Sequence, residues 1–88
     1  MDDETLKIWS YVNISSYRLK VVQSLQNEVK TPTKIAEDTG IRTNHPSKVL
    51  KDLKSVGVAE CVNEEARKGR LYRLTDKGEI VCKNISIK

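Results

Sequence analysis

Between Thr31 and Val58 the apolar residues fall into two short helical periods divided by a glycine. Pro32 suits a helix's first turn, where a missing N–H costs nothing, and Thr31 is placed to cap it. Ile35 and Ala36 then lie inward, and Gly40 supplies the left-handed residue that ends many helices. Ile41 continues the apolar set. A second helix begins within Thr43 to Pro46 and runs to about Ser55, where Gly57 stops it. Its Val49, Leu50, Leu53 and Val56 recur at three- and four-residue steps and make one apolar stripe. Asn44, Ser47, Lys48 and Lys51 share another face. Two short helices joined this way, with a small Ala36 allowing close packing, predict a helix-turn-helix.

The flanking segments extend this pair. In Asp2 to Asn13, Leu6, Trp9 and Val12 fit a helical stripe, while Ile8, Ser10, Val12 and Ile14 fit a strand's alternation. We adopt the helix. Trp9 and Tyr11 are large for a terminal arm, so they either cover the chain's own core or meet a second subunit. Ser15 or Ser16 caps a helix from Tyr17 to about Asn27, with Leu19, Val22 and Leu25 inward, Val21 alongside, and Arg18, Lys20 and Gln23 in water. Asn27 to Lys30 reads as a short polar link.

After Gly57 the period changes. Val58 to Val62 and Arg70 to Leu74 are β-compatible and are joined by the polar run NEEARKG, which predicts a hairpin with a long loop. Arg67, Lys68, Arg70 and Arg73 lie on its tip and return strand. A hairpin directly after a helix-turn-helix is a wing. Thr75 caps a last helix, Asp76 to about Ile85, with Asp76 and Glu79 well placed in its first turn. Val81, Cys82 and Ile85 give that helix an apolar side, which either covers the hairpin or pairs with a copy of itself. The expected fold is mainly α with a small β-hairpin (α+β): a winged helix-turn-helix, with a three-helix core, a wing and a terminal helix. It forms one domain over residues 1–88, with 1–14 as an N-terminal helix or arm and 75–88 as the C-terminal helix.

Composition narrows the function. Apolar residues make up 38% of the 88 and Phe is absent, so the core is mainly Leu, Ile and Val, and a chain this small gains from dimerisation. No apolar run approaches the roughly 18 residues of a membrane span, and the acidic Asp2, Asp3 and Glu4 are unlike a signal peptide. The expected location is cytoplasmic, without a membrane partner. The formal charge of +4 is uneven: residues 1–41 hold five basic and six acidic side chains, and residues 42–74 hold eight and four. A localised basic surface attracts polyanions, although a solvated basic face explains the charge equally well. Cys61 and Cys82 form no CxxC and read as small apolar residues, so no metal and no cofactor is expected.

The runs TPTKIAEDTGI, SKVLKDLKSVGVAECV and ARKGRLYRLTDKG resemble the winged helix-turn-helix transcriptional regulators of the ArsR and MarR type, especially small archaeal members. The resemblance covers roughly Ser15 to Val81. It implies a DNA-binding transcriptional regulator; the expectation of a homodimer comes from the apolar terminal segments and the small core. The metal-sensing cysteine box of many ArsR proteins is absent, so metal sensing does not carry over. Pro46 stands where a β-branched or aliphatic residue is usual, which implies a later helix start with His45 at its cap.

In such a protein the second helix enters the major groove with its N-terminal half against base edges. The residues expected to meet DNA there are Arg42, Thr43, Asn44, His45, Ser47, Lys48 and Lys51. Asn44 and Lys48 are the first candidates for base contact and Lys51 for phosphate. Thr31 and Thr33 open the preceding helix, whose N–H groups suit a phosphate. Arg67, Lys68 and Arg70 on the wing suit the backbone or minor groove. There is no Gly-rich phosphate loop, and His45 is the only histidine, so no catalytic set is assigned. Two alternatives stay open at this stage: a winged-helix protein-interaction module, and a sequence-independent chromatin-coating protein.

Overall fold

A single hydroxyl ties together the parts that the sequence keeps apart. In the computed structural model, which describes residues 2–42 and 44–85 (Asn44 by its backbone alone), seven elements follow one another. They are α1 (Asp3–Ile14), α2 (Ser16–Ser24), α3 (Pro32–Thr39), α4 (Asn44–Ser55), β1 (Ala59–Cys61), β2 (Tyr72–Leu74) and α5 (Asp76–Ile85). Helices α2, α3 and α4 pack on one another. The antiparallel pair β1–β2 forms the wing, with Ala59 opposite Leu74 and Cys61 opposite Tyr72. Helix α5 returns from β2 to lie against α1 and α2. This is the winged helix-turn-helix order expected.

The helix boundaries have local causes. Asp2 accepts the Thr5 N–H at 2.7 Å, Ser15 the Arg18 N–H at 3.4 Å, and Thr31 the Lys34 N–H at 3.2 Å. Each satisfies one amide that the first turn of a helix leaves without a partner. Gly40 closes α3 at φ 74°, its N–H bonded to the Ala36 carbonyl. Inside, Leu25, Ile35, Leu50, Leu53, Val58 and Val81 are fully buried. Removing each from water is worth roughly 1.5–3 kcal/mol.

Four expectations need correction. The inner face of α1 is Thr5, Ile8 and Val12, with Trp9 half-buried beside it and Leu6 left 46% exposed. The overlapping patterns hid this register, because Ile8 belonged to the strand reading. Trp9 donates its indole N–H to the Asn84 carbonyl at 3.3 Å, so it packs within its own chain. Helix α2 stops at Ser24, and Asn27 turns left-handed at φ 60°. Arg18 is not in water: its guanidinium lies 3.7 Å from the Tyr11 ring centroid and donates to the Tyr11 carbonyl at 3.0 Å. Finally, α4 begins at Asn44, so His45 lies inside its first turn and is not its cap. Pro46 is the third helical residue and is fully buried. That position needs no N–H partner, so the proline acts as a core residue without harming the helix.

The stretch before α3 is more than a link. Lys30 forms a two-way backbone bridge with Tyr72 (N–H to carbonyl, 3.0 and 2.8 Å), a one-residue pairing on the edge of β2 away from β1. Its side chain, only 7% exposed, meets Asp38 at 2.7 Å and Glu28 at 3.4 Å. Burial alone would lower the Lys30 pKa, but the hydrogen bond and charge of Asp38, with Glu28, outweigh it and leave the pKa raised. The Lys30 hydrogen bond holds the Asp38 carboxyl below its ordinary value.

The hydroxyl that ties these parts together belongs to Thr75. It donates to the Gly57 carbonyl and accepts the Gly78 N–H at 3.1 Å, while the Thr75 N–H bonds Val58 at 3.0 Å. Gly78 presses on the same Val58 carbonyl, where an added Cβ would lie 2.0 Å from the oxygen. Gly78→Ala should therefore cost about 3 kcal/mol, seen as a lower urea midpoint with an unchanged m-value. A second expected outcome concerns pH. Because the folded Asp38 pKa is depressed, its contribution is fully present above about pH 3.9 and is lost as pH falls through the lowered folded value. In urea titrations across acid pH, Asp38→Asn should flatten that limb of the stability curve.

Candidate nucleic-acid interface

Helix α4 has two unlike sides. Pro46, Val49, Leu50 and Leu53 are buried against the core, and His45, Ser47, Lys48 and Lys51 are exposed on the other side. The 3.6-residue period requires this split once the stripe is inward. Arg42 is exposed in the turn before it. Thr43 and the side chain of Asn44 lie outside the described residues. In the preceding helix Thr33 is exposed, while Thr31 is half-buried with its hydroxyl engaged as the cap of α3.

The structure sorts the cations of this half of the chain. Lys54 pairs with Glu64, and Arg73 pairs with Glu60 at 2.7 Å across the wing. The hydrogen bond and charge of Glu64 raise the Lys54 pKa, and Lys54 in turn lowers that of Glu64. Arg70 donates through Nε to the Ala66 carbonyl at 2.9 Å, inside the wing loop. Among the described ion pairs, none involves Arg42, Lys48, Lys51, Arg67 or Lys68. These five exposed side chains carry uncompensated charge on the turn, on α4 and on the wing tip. Charges left this way can neutralise phosphates without first breaking an internal pair.

A residue that the sequence reading passed over organises the wing. Asn63 Oδ1 accepts the Leu71 N–H at 2.7 Å and faces the Cys61 thiol at 3.5 Å, and Nδ2 donates to the Gly69 carbonyl at 3.2 Å. Its own carbonyl accepts the Ala66 N–H at 2.9 Å. One side chain thus closes both ends of the loop that bears Arg67 and Lys68, and Gly69 completes the turn at φ 66°. The usable signal was an asparagine opening a polar loop that a glycine closes, since Asn side chains bond nearby backbone readily. Lys30 was missed for another reason: a one-residue bridge has no alternation to detect.

Among the described residues no group of three or more His, Cys, Asp or Glu is placed to hold a metal ion, and no helix is long and apolar enough to cross a membrane. Cys82 is buried, which pushes its thiol pKa up, and Cys61 is half-buried.

No protein-family model matches the chain, and no curated protein does. Solved structures do match it. The apo form of a ZitR variant from Lactococcus lactis superposes with a TM-score of 0.71 at 25% identity over 89% of this chain. The chain spans 49–61% of the length of the ZitR chains it matches. Mb0332 from Mycobacterium bovis gives a TM-score of 0.70 at 22% identity, covering 97% of this chain and 81% of that one. Its structure is that of a homodimeric winged helix-turn-helix DNA-binding domain from a possible ArsR-family transcriptional regulator. A MarR family transcription regulator, SP03579, gives 0.58 at 16% identity over 97% of this chain and 49% of that one. These likenesses establish the winged helix-turn-helix fold.

If Asn63 is the clamp of the wing, Asn63→Ala should speed amide exchange at Leu71 and Val62 by about 10-fold, with Val22 in the core unchanged. Equal exchange at Leu71 in the two proteins would show that the loop is held by other contacts.

Proposed function

We propose that this chain is a sequence-specific, double-stranded-DNA-binding transcriptional regulator of the ArsR/MarR type. In this reading α4 enters the major groove, and the wing lies on the backbone or in the minor groove. The carrying observation is the set of five exposed cations, Arg42, Lys48, Lys51, Arg67 and Lys68, with no internal partner among the described ion pairs. They sit on the elements that a winged helix-turn-helix turns toward DNA. Lys48 and Asn44 are assigned to base edges. Lys51, Arg67 and Lys68 are assigned to phosphates, with Arg70 shaping the loop that presents them. The chain acts by binding and not by catalysis.

The proposal includes a homodimer. Leu6 on α1 is 46% exposed and Ile80 on α5 is 47% exposed, and these two helices pack against each other. Covering such side chains with a second copy would enlarge a small core. It would also set two recognition helices roughly 34 Å apart on an inverted repeat.

Selection from random duplex DNA at two salt concentrations tests the reading. An enriched inverted repeat is expected, with Lys48→Ala costing about 1–3 kcal/mol on it and relaxing the preference. Arg67→Ala should weaken all sequences alike and lower the slope of log K against log salt by about 0.9. Binding without enrichment would leave a coating protein, and no binding at low salt a protein-interaction module. Sedimentation at micromolar concentration should give a dimer that Ile80→Glu dissociates. A monomeric wild type would remove the dimer from the proposal.

A further inference from the structure

Between the start of α2 and α4 lies a cleft of about 320 Å³ lined by Ser15, Tyr17, Arg18, His45, Lys48, Val49 and Asp52. It opens beside the exposed face of α4, since His45 and Lys48 belong to both. Tyr17 and His45 meet edge to face, ring centroids 5.1 Å apart and planes at 74°. Tyr17 remains 45% exposed, so its ring forms an open wall of the cleft. The lining carries two cations, Arg18 and Lys48, and one acid. That acid, Asp52, forms an ion pair with Arg18 at 3.9 Å, longer than a hydrogen bond, so the charge left over in the cleft is that of Lys48. Arg18 is itself fixed by the Tyr11 carbonyl and ring, so its charge is held at the cleft by atoms outside it. The cleft is thus net positive, walled by an aromatic ring, and supplied with hydroxyl, imidazole and ammonium donors.

We infer that this cleft is a binding site for a phosphate of the DNA backbone, gripped jointly by Tyr17 and His45 beside Lys48. This makes α2 a DNA-contacting element in addition to α3, α4 and the wing. The inference rests on the DNA-binding reading above and adds Tyr17 to the residues that serve it. The chemistry suits a phosphodiester. A phenol hydroxyl and an imidazole N–H are both donors, the two rings are already in contact, and an oxyanion beside a fixed arginine is favoured by charge. A phosphate on the backbone flanking the groove carries no sequence information, so the site would set the depth and register of α4 without choosing bases.

The test compares wild type, Tyr17→Phe, His45→Gln and the double variant on several unrelated duplexes at low salt, by fluorescence anisotropy with thermal melts alongside. Tyr17→Phe removes one exposed hydroxyl and keeps the ring, so the melting temperature should not move. The expected result is about 10-fold weaker binding to every duplex, the loss of one hydrogen bond to a charged group. The salt slope should be unchanged, because a neutral donor releases no counterion. The double variant should bind more weakly than either single variant, since each donor gives the phosphate its own hydrogen bond. Wild-type affinity in Tyr17→Phe would overturn the site, as would a loss confined to one sequence. Failure of the wild type to bind any duplex would instead bring down the DNA-binding reading, and the site with it.

Discussion

The contact between Gly78 and the Val58 carbonyl is the constraint on which the arrangement of this molecule depends. It can form only where the helix residue has no side chain, and it brings the first turn of α5 onto the backbone leaving α4. Thr75 completes it by bonding Gly57 and Val58 on one side and capping α5 on the other. The end of α4, the base of the wing and the start of the last helix therefore share one point. The threonine and glycine in LTDKG are the chemistry of that point. Their spacing of three residues is the distance from a helix cap to the amide it satisfies.

From this corner outward, charge follows a division of labour. Salt bridges near the surface add little stability, but they decide which cations remain available. Lys54 and Arg73 hold the wing to α4 and β1 to β2, while Lys30 joins α3 to the strand beside it. Between Arg42 and Arg73, the basic residues outside the described ion pairs lie on the turn before α4, on its outer face and on the wing. The positive charge of that half of the chain is therefore narrower than its count of lysines and arginines implies.

Much of the fold could be read from the chain because its signals are local. Thr31, Pro32 and Gly40 mark α3, the stripe of α4 shows at helical spacing, and Thr75 announces α5. What escaped detection depended on partners distant in sequence. Lys30 gains a strand partner in Tyr72 and an acid in Asp38, neither visible from its own neighbourhood. Arg18 looked like a wet helix residue until Tyr11 and Asp52 closed around it. Leu6 and Ile8 exchanged places because α1 carries two overlapping periods, and only packing against α2 and α5 chooses between them. Pro46 looked like a reason for a late helix start, whereas its ring fills the core under α4. Residues of the basic face were easier to nominate than to rank, since composition does not show which cations already have an anion.

The Lys30–Tyr72 bridge has a mechanical meaning. Two backbone bonds fasten the return strand of the wing to the residue that leads into α3. The hairpin is then no free flap but one arm of a bell crank whose other arm is α3, with Lys30 at the pivot. A force that tilts the tip, such as a rigid surface pressing on Arg67 and Lys68, is delivered as torque to the start of α3. Such leverage would carry a load at the tip into the helical body through main-chain bonds, which of all side-chain replacements only proline at Lys30 or Tyr72 would remove directly.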